Sequence, residues 1–323
     1  MRVGIIGLGA MGQPIAANII KAGHKVRGFD LQPQALTKLA AAGGEIAESL
    51  DDVARDADLL WLMVVNGDQA ERVLFGGADG NGGSGSGSTG GTGGGATAVS
   101  GGSSGSGGAA AALPQGAIVV AACTQPPVQA ARLAARLAGA GLVMLDAPVS
   151  GGVVGARDGA LTIMCSGPKA DLERAMPVMQ ATAKRIFHVG ETAGLGSTAK
   201  MINQLLCGVH IAAAAEAMNV AETAGLSLAT MHEIIGVSAG NSWMWGDRGP
   251  KMMQDNPAVT SALDIFVKDL GIVLDQGRLA RQATPLAAAA HQMFLAASGQ
   301  GHGRCDDSQV IRAYRTLNGT KRK

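Results

Sequence analysis

The chain has 323 residues, with 26 Lys+Arg against 25 Asp+Glu and a net charge of +1. That is long enough for two ordinary domains, and it lacks the sustained basic stripe that marks a nucleic-acid or anionic-membrane partner. Apolar residues at 47% and charged ones at 16% allow a sizeable buried core, which Ala, Leu, Ile, Val and Met must fill because aromatics are only 3%.

Taken in chain order, the first 75 residues alternate short apolar runs with helical patterns. Arg2–Gly7 reads as a buried strand and Met11–Ala22 as a helix; Lys25–Asp30 is a second strand and Gln34–Ala42 a second helix. Asp58–Val65 is strand-like, and Ala70–Phe75 opens a further helix. Beyond residue 108, Ala117–Ala122 and Leu142–Ala147 read as strands around a helix over Pro127–Ala138. Ala160–Ser166 and Arg185–Gly190 then flank a helix over Lys169–Met179. Strands alternating with helices of this length predict an α/β fold, with a mostly parallel Rossmann-type sheet covered on both faces. From Gly196 the strand signal ends. Ser197–Gly225 reads as one long helix, followed by helices over Leu228–Ser238, Ser261–Ala283 and Pro285–Ser298. The expected division is a dinucleotide-binding domain over residues 1–192 and an all-helical domain over 193–323. The apolar, Ala-rich run Val209–Ala224 predicts burial against another subunit, in a homodimer or homotetramer.

Residues 76–108 interrupt this pattern with 17 Gly and 7 Ser in 33 positions. With no periodicity and nothing to bury, the segment reads as a flexible coil. It follows a helix and precedes a strand, which places it at the amino ends of the parallel strands, away from where ligands bind. The closing Lys321-Arg322-Lys323 reads as a solvated terminus. Cys123, Cys165, Cys207 and Cys305 form no CxxC pair, and the six histidines no HExxH, so no metal site or disulfide framework is expected. No uninterrupted apolar run of about 18 residues predicts a bilayer span. The glycine-punctuated start is not a signal peptide, so the cytoplasm is the expected compartment.

Two features carry chemistry. Gly7-Leu8-Gly9-Ala10-Met11-Gly12 follows a strand and opens a helix, the context in which GxGxxG binds a dinucleotide. Gly7 permits the tight turn, Gly9 lets a pyrophosphate approach the backbone, and Gly12 lets helix and strand pack closely, while the helix N-terminus offers free N–H groups and a positive dipole end. Asp30 closes the second strand, where a carboxylate accepts hydrogen bonds from a ribose diol. With no Arg or Lys at 31–34 to pair with a 2′-phosphate, NAD is favoured over NADP. The second feature is Lys200, one turn into the long helix, with Asn203 and Gln204 on the same face at i+3 and i+4. A lysine desolvated in a cleft has its pKa lowered and can serve as general acid or base. Ser150-Gly151-Gly152, after the strand ending at Asp146, exposes a hydroxyl and backbone N–H groups suited to a carboxylate.

Gly7–Gly12, Asp146-Ala-Pro-Val-Ser-Gly-Gly152 and Gly196-Ser-Thr-Ala-Lys200-Met-Ile-Asn203-Gln204, in this order, resemble the β-hydroxyacid dehydrogenase family over nearly the whole chain except the Gly/Ser segment. The resemblance implies Lys200 as general acid/base and Ser150–Gly152 as the grip on a substrate carboxylate. It also implies Thr124 on the nicotinamide side, with Cys123 where the family usually has serine, and Lys268 of a Lys-Asp pair reaching the cofactor. Gln204 stands where many relatives carry a second, substrate-holding Asn. Together with Ser238–Trp243, whose Asn241 is suited to a sugar-acid hydroxyl, it is most similar to members acting on L-threonate. The expected reaction is therefore NAD-dependent oxidation of the 2-hydroxyl of a four-carbon sugar acid. A 3-hydroxyisobutyrate dehydrogenase, a tartronate semialdehyde reductase and a non-catalytic NAD-binding sensor remain alternatives. Lys200 weighs against an imine reductase, and the lack of a basic cluster against a phosphogluconate enzyme. Trp243 and Trp245 read equally as core aromatics or pocket walls.

Overall fold

The computed structural model describes residues 1–76 and 108–320, so the expectations for most of the Gly/Ser segment and for the last three residues lie outside the described residues. The segment's two borders are adjacent: a Cβ on Gly108 would stand 2.6 Å from the Gly76 nitrogen.

The elements run β1 (Arg2–Ile6), α1 (Gly12–Lys21), β2 (Lys25–Phe29), α2 (Pro33–Ala41), β3 (Glu45–Ile46), α3 (Leu50–Ala54), β4 (Leu59–Leu62) and α4 (Gly67–Phe75). After the undescribed segment come α5 (Gly108–Ala112), β5 (Ile118–Ala121), α6 (Pro127–Gly139), β6 (Val143–Asp146), β7 (Val149–Ser150), α7 (Gly152–Arg157), β8 (Leu161–Ser166), α8 (Lys169–Gln180) and β9 (Ala183–Gly190). The helical part holds α9 (Leu195–Thr223), α10 (Leu228–Gly236), α11 (Trp243–Met252), α12 (Leu263–Ala280), α13 (Pro285–Ala297) and α14 (Ile311–Leu317).

The sheet order is β3-β2-β1-β4-β5-β6-β8-β7, with β9 on β8. From β3 to β6 every pairing is parallel; β8 joins β6 antiparallel, and β9 runs parallel to β8. Its central strands are unbroken apolar runs because both faces are buried. Val3, Ile5, Trp61, Ile118 and Val120 face the core that includes Ile15 and Ile19 of α1. The alternate positions Ile6, Leu60, Leu62, Val119 and Ala121 face the core under α4 and α6. Strand order reverses at β1 and β4, so the crevice above their carboxyl ends is the natural ligand position.

Among the described residues no strand follows β9, only an isolated bridge between Ala262 and Asp306. The helices form their own core around Ile211, Ala215, Met218, Phe266, Leu270 and Phe294. By length and composition alone α9 could cross a membrane, yet a ridge through Gly196, Lys200, Gln204, Gly208, Ile211, Ala215 and Met218 is buried within the protein. The helix α11 is absent from the sequence reading. Gly246, Gly249 and Pro250 disguise it, although Ser242 caps its start by accepting from the Trp245 N–H.

Candidate active site

The loop from Gly7 to Gly12 lies at the carboxyl end of β1. Gly7 has φ 94°, and a Cβ there would collide with the Met63 carbonyl, while one on Gly12 would collide with the Gly7 carbonyl. Gly9 differs, with nothing within 4 Å of where its Cβ would be. Two tightly packed glycines around one with open space suit a turn that brings the backbone against a pyrophosphate. Leu8 is buried in the core, whereas Gly9 and Ala10 are exposed. Met11 provides no side-chain cap for α1; Gln13 donates its N–H to the Gly9 carbonyl and Pro14 has none, so in the first turn it is the Gly12 N–H that remains for an anion. Asp30 accepts from the Leu8 N–H at 2.6 Å and the Gln32 N–H at 2.8 Å, which fixes the carboxylate beside the loop. A carboxylate has about four acceptor sites, so capacity remains for a ribose diol.

The helix α9 starts against the carboxyl end of β6. Gly194, at its N-cap, has no side chain to offer, and Asp146 at the end of β6 acts in its place. Its Oδ2 accepts from the Gly194 N–H at 2.9 Å and the Ser197 N–H at 2.8 Å; its Oδ1 accepts from the Ser197 hydroxyl at 2.7 Å. Burial raises the Asp146 pKa, and these hydrogen bonds oppose the rise. Cys123, buried near this carboxylate, is pushed up to about 12, chiefly by desolvation.

This anchoring sets Lys200 one turn into α9. Lys200 is 7% exposed, and its side chain makes no hydrogen bond or ion pair among the described residues. Burial lowers its pKa; Asp269 and Cys207 push it back up, and Lys268 adds to the lowering. A lysine held this way gives up its proton more readily than a solvated one. On the same face, Asn203 Nδ2 donates to Gln204 Oε1 at 3.0 Å and to Cys207 Sγ at 3.4 Å. Gln204 Nε2 donates to Asp269 Oδ2 at 2.5 Å. Lys268 donates to Asp269 Oδ1 at 2.6 Å and to the Thr124 carbonyl at 3.3 Å, tying α12 to the end of β5. Lys200, Asn203, Gln204, Thr124 and Lys268 thus form one cluster at the carboxyl ends of the strands.

Ser150 ends β7, half-buried, and Gly151 and Gly152 follow with φ 126° and 61°, backbone that side chains rarely adopt. Asn241 does not join the cluster through a hydrogen bond. It is exposed, and its amide donates to the Gly236 carbonyl at the end of α10. Trp245 is buried, stacked on His232 at 5.9 Å between ring centroids, while Trp243 is 68% exposed. Sequence reasoning missed Asp269 and Asp146 as organisers of the site. Both carboxylates lie inside motifs already singled out, but their partners are distant in the chain. Among the described residues no group of His, Cys, Asp or Glu could hold a metal ion.

A glycine-built dinucleotide cradle at the end of β1 together with a buried lysine in the cluster at the end of β5 marks an NAD-dependent oxidoreductase. Comparison with known proteins narrows the class. Residues 2–86 and 95–190 match the NAD binding domain of 6-phosphogluconate dehydrogenase, and residues 194–314 match the model described as NAD-binding of NADP-dependent 3-hydroxyisobutyrate dehydrogenase. The chain is 43% identical to an L-threonate dehydrogenase of Cupriavidus necator, covering 97% of this chain and 95% of that protein. It is 40% identical to one of Haemophilus influenzae, covering 97% and 94%. A crystal structure of a Salmonella typhimurium 3-hydroxyisobutyrate dehydrogenase is 40% identical, covers 97% of this chain and 99% of that one, and superposes with a TM-score of 0.83. The chain belongs to the β-hydroxyacid dehydrogenase family and is an NAD-dependent hydroxyacid dehydrogenase.

Proposed function

We propose that the protein oxidises the 2-hydroxyl of a four-carbon sugar acid, L-threonate, to the 2-oxo acid, with Lys200 as general base. The observation that carries this reading is the state of Lys200: almost wholly buried, without a hydrogen-bond partner, its pKa lowered by desolvation, and flanked by two amides. Bound NAD supplies the hydride acceptor. Gly9, Ala10, Met11 and Gly12 hold its pyrophosphate on the turn that Gly7 and Leu8 shape, Asp30 its adenosine ribose, and Thr124 and Lys268 its nicotinamide end. The absence of a cation at 31–34 favours NAD over NADP. Ser150, Gly151 and Gly152 take the acid's carboxylate, and Asn203, Gln204 and Asn241 its hydroxyls. The neutral Lys200 amine accepts the hydroxyl proton, help typically worth about 10²–10⁴ in rate. The relatives named L-threonate dehydrogenase support the choice of acid.

In this reading residues 1–192 form the dinucleotide-binding domain and 193–323 the substrate and oligomerisation domain of a cytoplasmic homodimer or homotetramer. The test is nicotinamide reduction with NAD and NADP against L-threonate, D-threonate, D-erythronate, glycerate and 3-hydroxyisobutyrate. L-Threonate with NAD is expected to be the best pair, and Lys200→Ala to lose about 10² or more. Preference for 3-hydroxyisobutyrate or glycerate would overturn the choice of substrate, and an active Lys200→Ala the choice of base.

A further inference from the structure

The amides beside Lys200 form a directed chain whose direction is set by a carboxylate. Asp269 is 2% exposed on α12, and a carboxylate accepts hydrogen bonds but donates none. The group that Gln204 turns toward it at 2.5 Å must therefore be the NH2. The Gln204 carbonyl oxygen then faces Asn203 and takes its NH2 at 3.0 Å. The other Asn203 N–H is spent on Cys207 Sγ at 3.4 Å. What Asn203 has left is its Oδ1, which accepts no hydrogen bond among the described residues, on a half-buried side chain next to Lys200. The close approach of the two helices makes the chain possible. A Cβ on Gly208, one turn beyond Gln204, would stand 2.9 Å from Leu270, the neighbour of Asp269. The extra methylene of glutamine, compared with the asparagine many relatives carry, supplies additional reach toward the carboxylate.

We propose that Asp269 is a positioning residue that fixes the polarity of the Gln204–Asn203 pair, so that Asn203 presents an acceptor oxygen and selects acids carrying a hydroxyl beside the reacting carbon. The inference rests on the reading of the reaction given above. A hydroxyl at C3 donates to Asn203 Oδ1; a methylene there leaves that oxygen desolvated and unpaired. Sites that hydrogen-bond a substrate hydroxyl discriminate strongly against the analogue lacking it, here by about 10-fold or more.

The experiment compares kcat/KM for L-threonate and for 2,4-dihydroxybutanoate of the same arrangement at C2, in the wild type, Asp269→Asn, Gln204→Met and the double variant. The wild type is expected to favour L-threonate by about 10-fold or more. Asp269→Asn lets the Gln204 amide turn over, because an asparagine can donate or accept, and is expected to shrink the preference to within a few-fold. In the Gln204→Met background the same change should leave the preference unaltered. Gln204→Met, which breaks the chain from the amide side, carries the same expectation should Asp269→Asn fail to fold. Equal losses for both acids, with the preference intact, would show Asp269 to be merely structural and overturn the proposal while leaving the reaction standing. A wild type that prefers 3-hydroxyisobutyrate to either acid would remove the reaction and the inference together, and that outcome is visible before any variant is made.

Discussion

Lys200 concentrates the conflict between stability and chemistry in one residue. Its ordinary pKa is 10.5, and desolvation lowers it in the folded protein, against the opposing pull of Asp269 and Cys207 and with help from Lys268. In the proposed reaction oxidation needs the free amine, so kcat/KM for the acid should climb with pH through this lowered value and then level off. Asp269→Asn removes a charge that favours the ammonium form, so the acidic limb of the profile should move to lower pH. Stability follows the same proton. The unfolded chain holds it up to its ordinary value while the folded chain releases it earlier, so this residue makes stability rise with pH between the lowered value and 10.5. Below that window the cost of burying the lysine is fully present. Lys200→Met, which keeps the volume and removes the ionisable group, should abolish oxidation and raise the melting temperature at neutral pH by about 2–4 °C for each kcal/mol relieved. A variant that melts lower would show the lysine to be solvated or paired in the folded protein.

Among the elements, α9 matters most because its first turn is held from outside the helix. Asp146 comes from the sheet and caps a helix whose own N-cap is glycine, so the site's lysine is placed by a bond between the two parts of the molecule. Asp146→Ala would leave the Gly194 and Ser197 N–H groups buried without an acceptor, each costing about 1–3 kcal/mol. Denaturant titration should therefore find the variant destabilised by about 2–6 kcal/mol, with lost turnover. A loss below about 0.5 kcal/mol, the range of an ordinary surface change, would sink the anchoring role. The sequence made α9 legible to within two residues at each end, and the strands β1, β2, β4, β5 and β6 nearly as well. Long apolar runs and long helical periods carry their own signal. The two-residue strands β3 and β7 and the short helices α3, α5 and α7 carry almost none, since six residues or fewer of pattern cannot be told from a turn. In α11, proline and glycines argued against a helix that packing of Met244, Trp245 and Met252 nevertheless stabilises.

At the scale of the whole molecule, legibility followed sequence distance. The GxGxxG loop and the Lys200–Gln204 face could be read because each is local. The Asp269–Gln204 bond joins residues 65 apart and the Asp146–Gly194 bond residues 48 apart, contacts that no spacing rule reveals. The same limit applies to surfaces that need a second chain. On the face of α9 away from the helical core, Ile202, Leu206, Ala213, Ala217 and Val220 recur at helical spacing and are exposed, with Ile202 at 53% and Val220 at 63%. Such a stripe on the longest helix is costly in water, at roughly 25 cal/mol per Å² of apolar surface, and burying it against another copy relieves that cost. The end of the stripe furthest from Lys200 can be changed without touching the site. Val220→Lys with Ala213→Glu should therefore lower the mass measured by light scattering while NADH still binds. A wild type that already runs as a single chain would show that the stripe stays solvated.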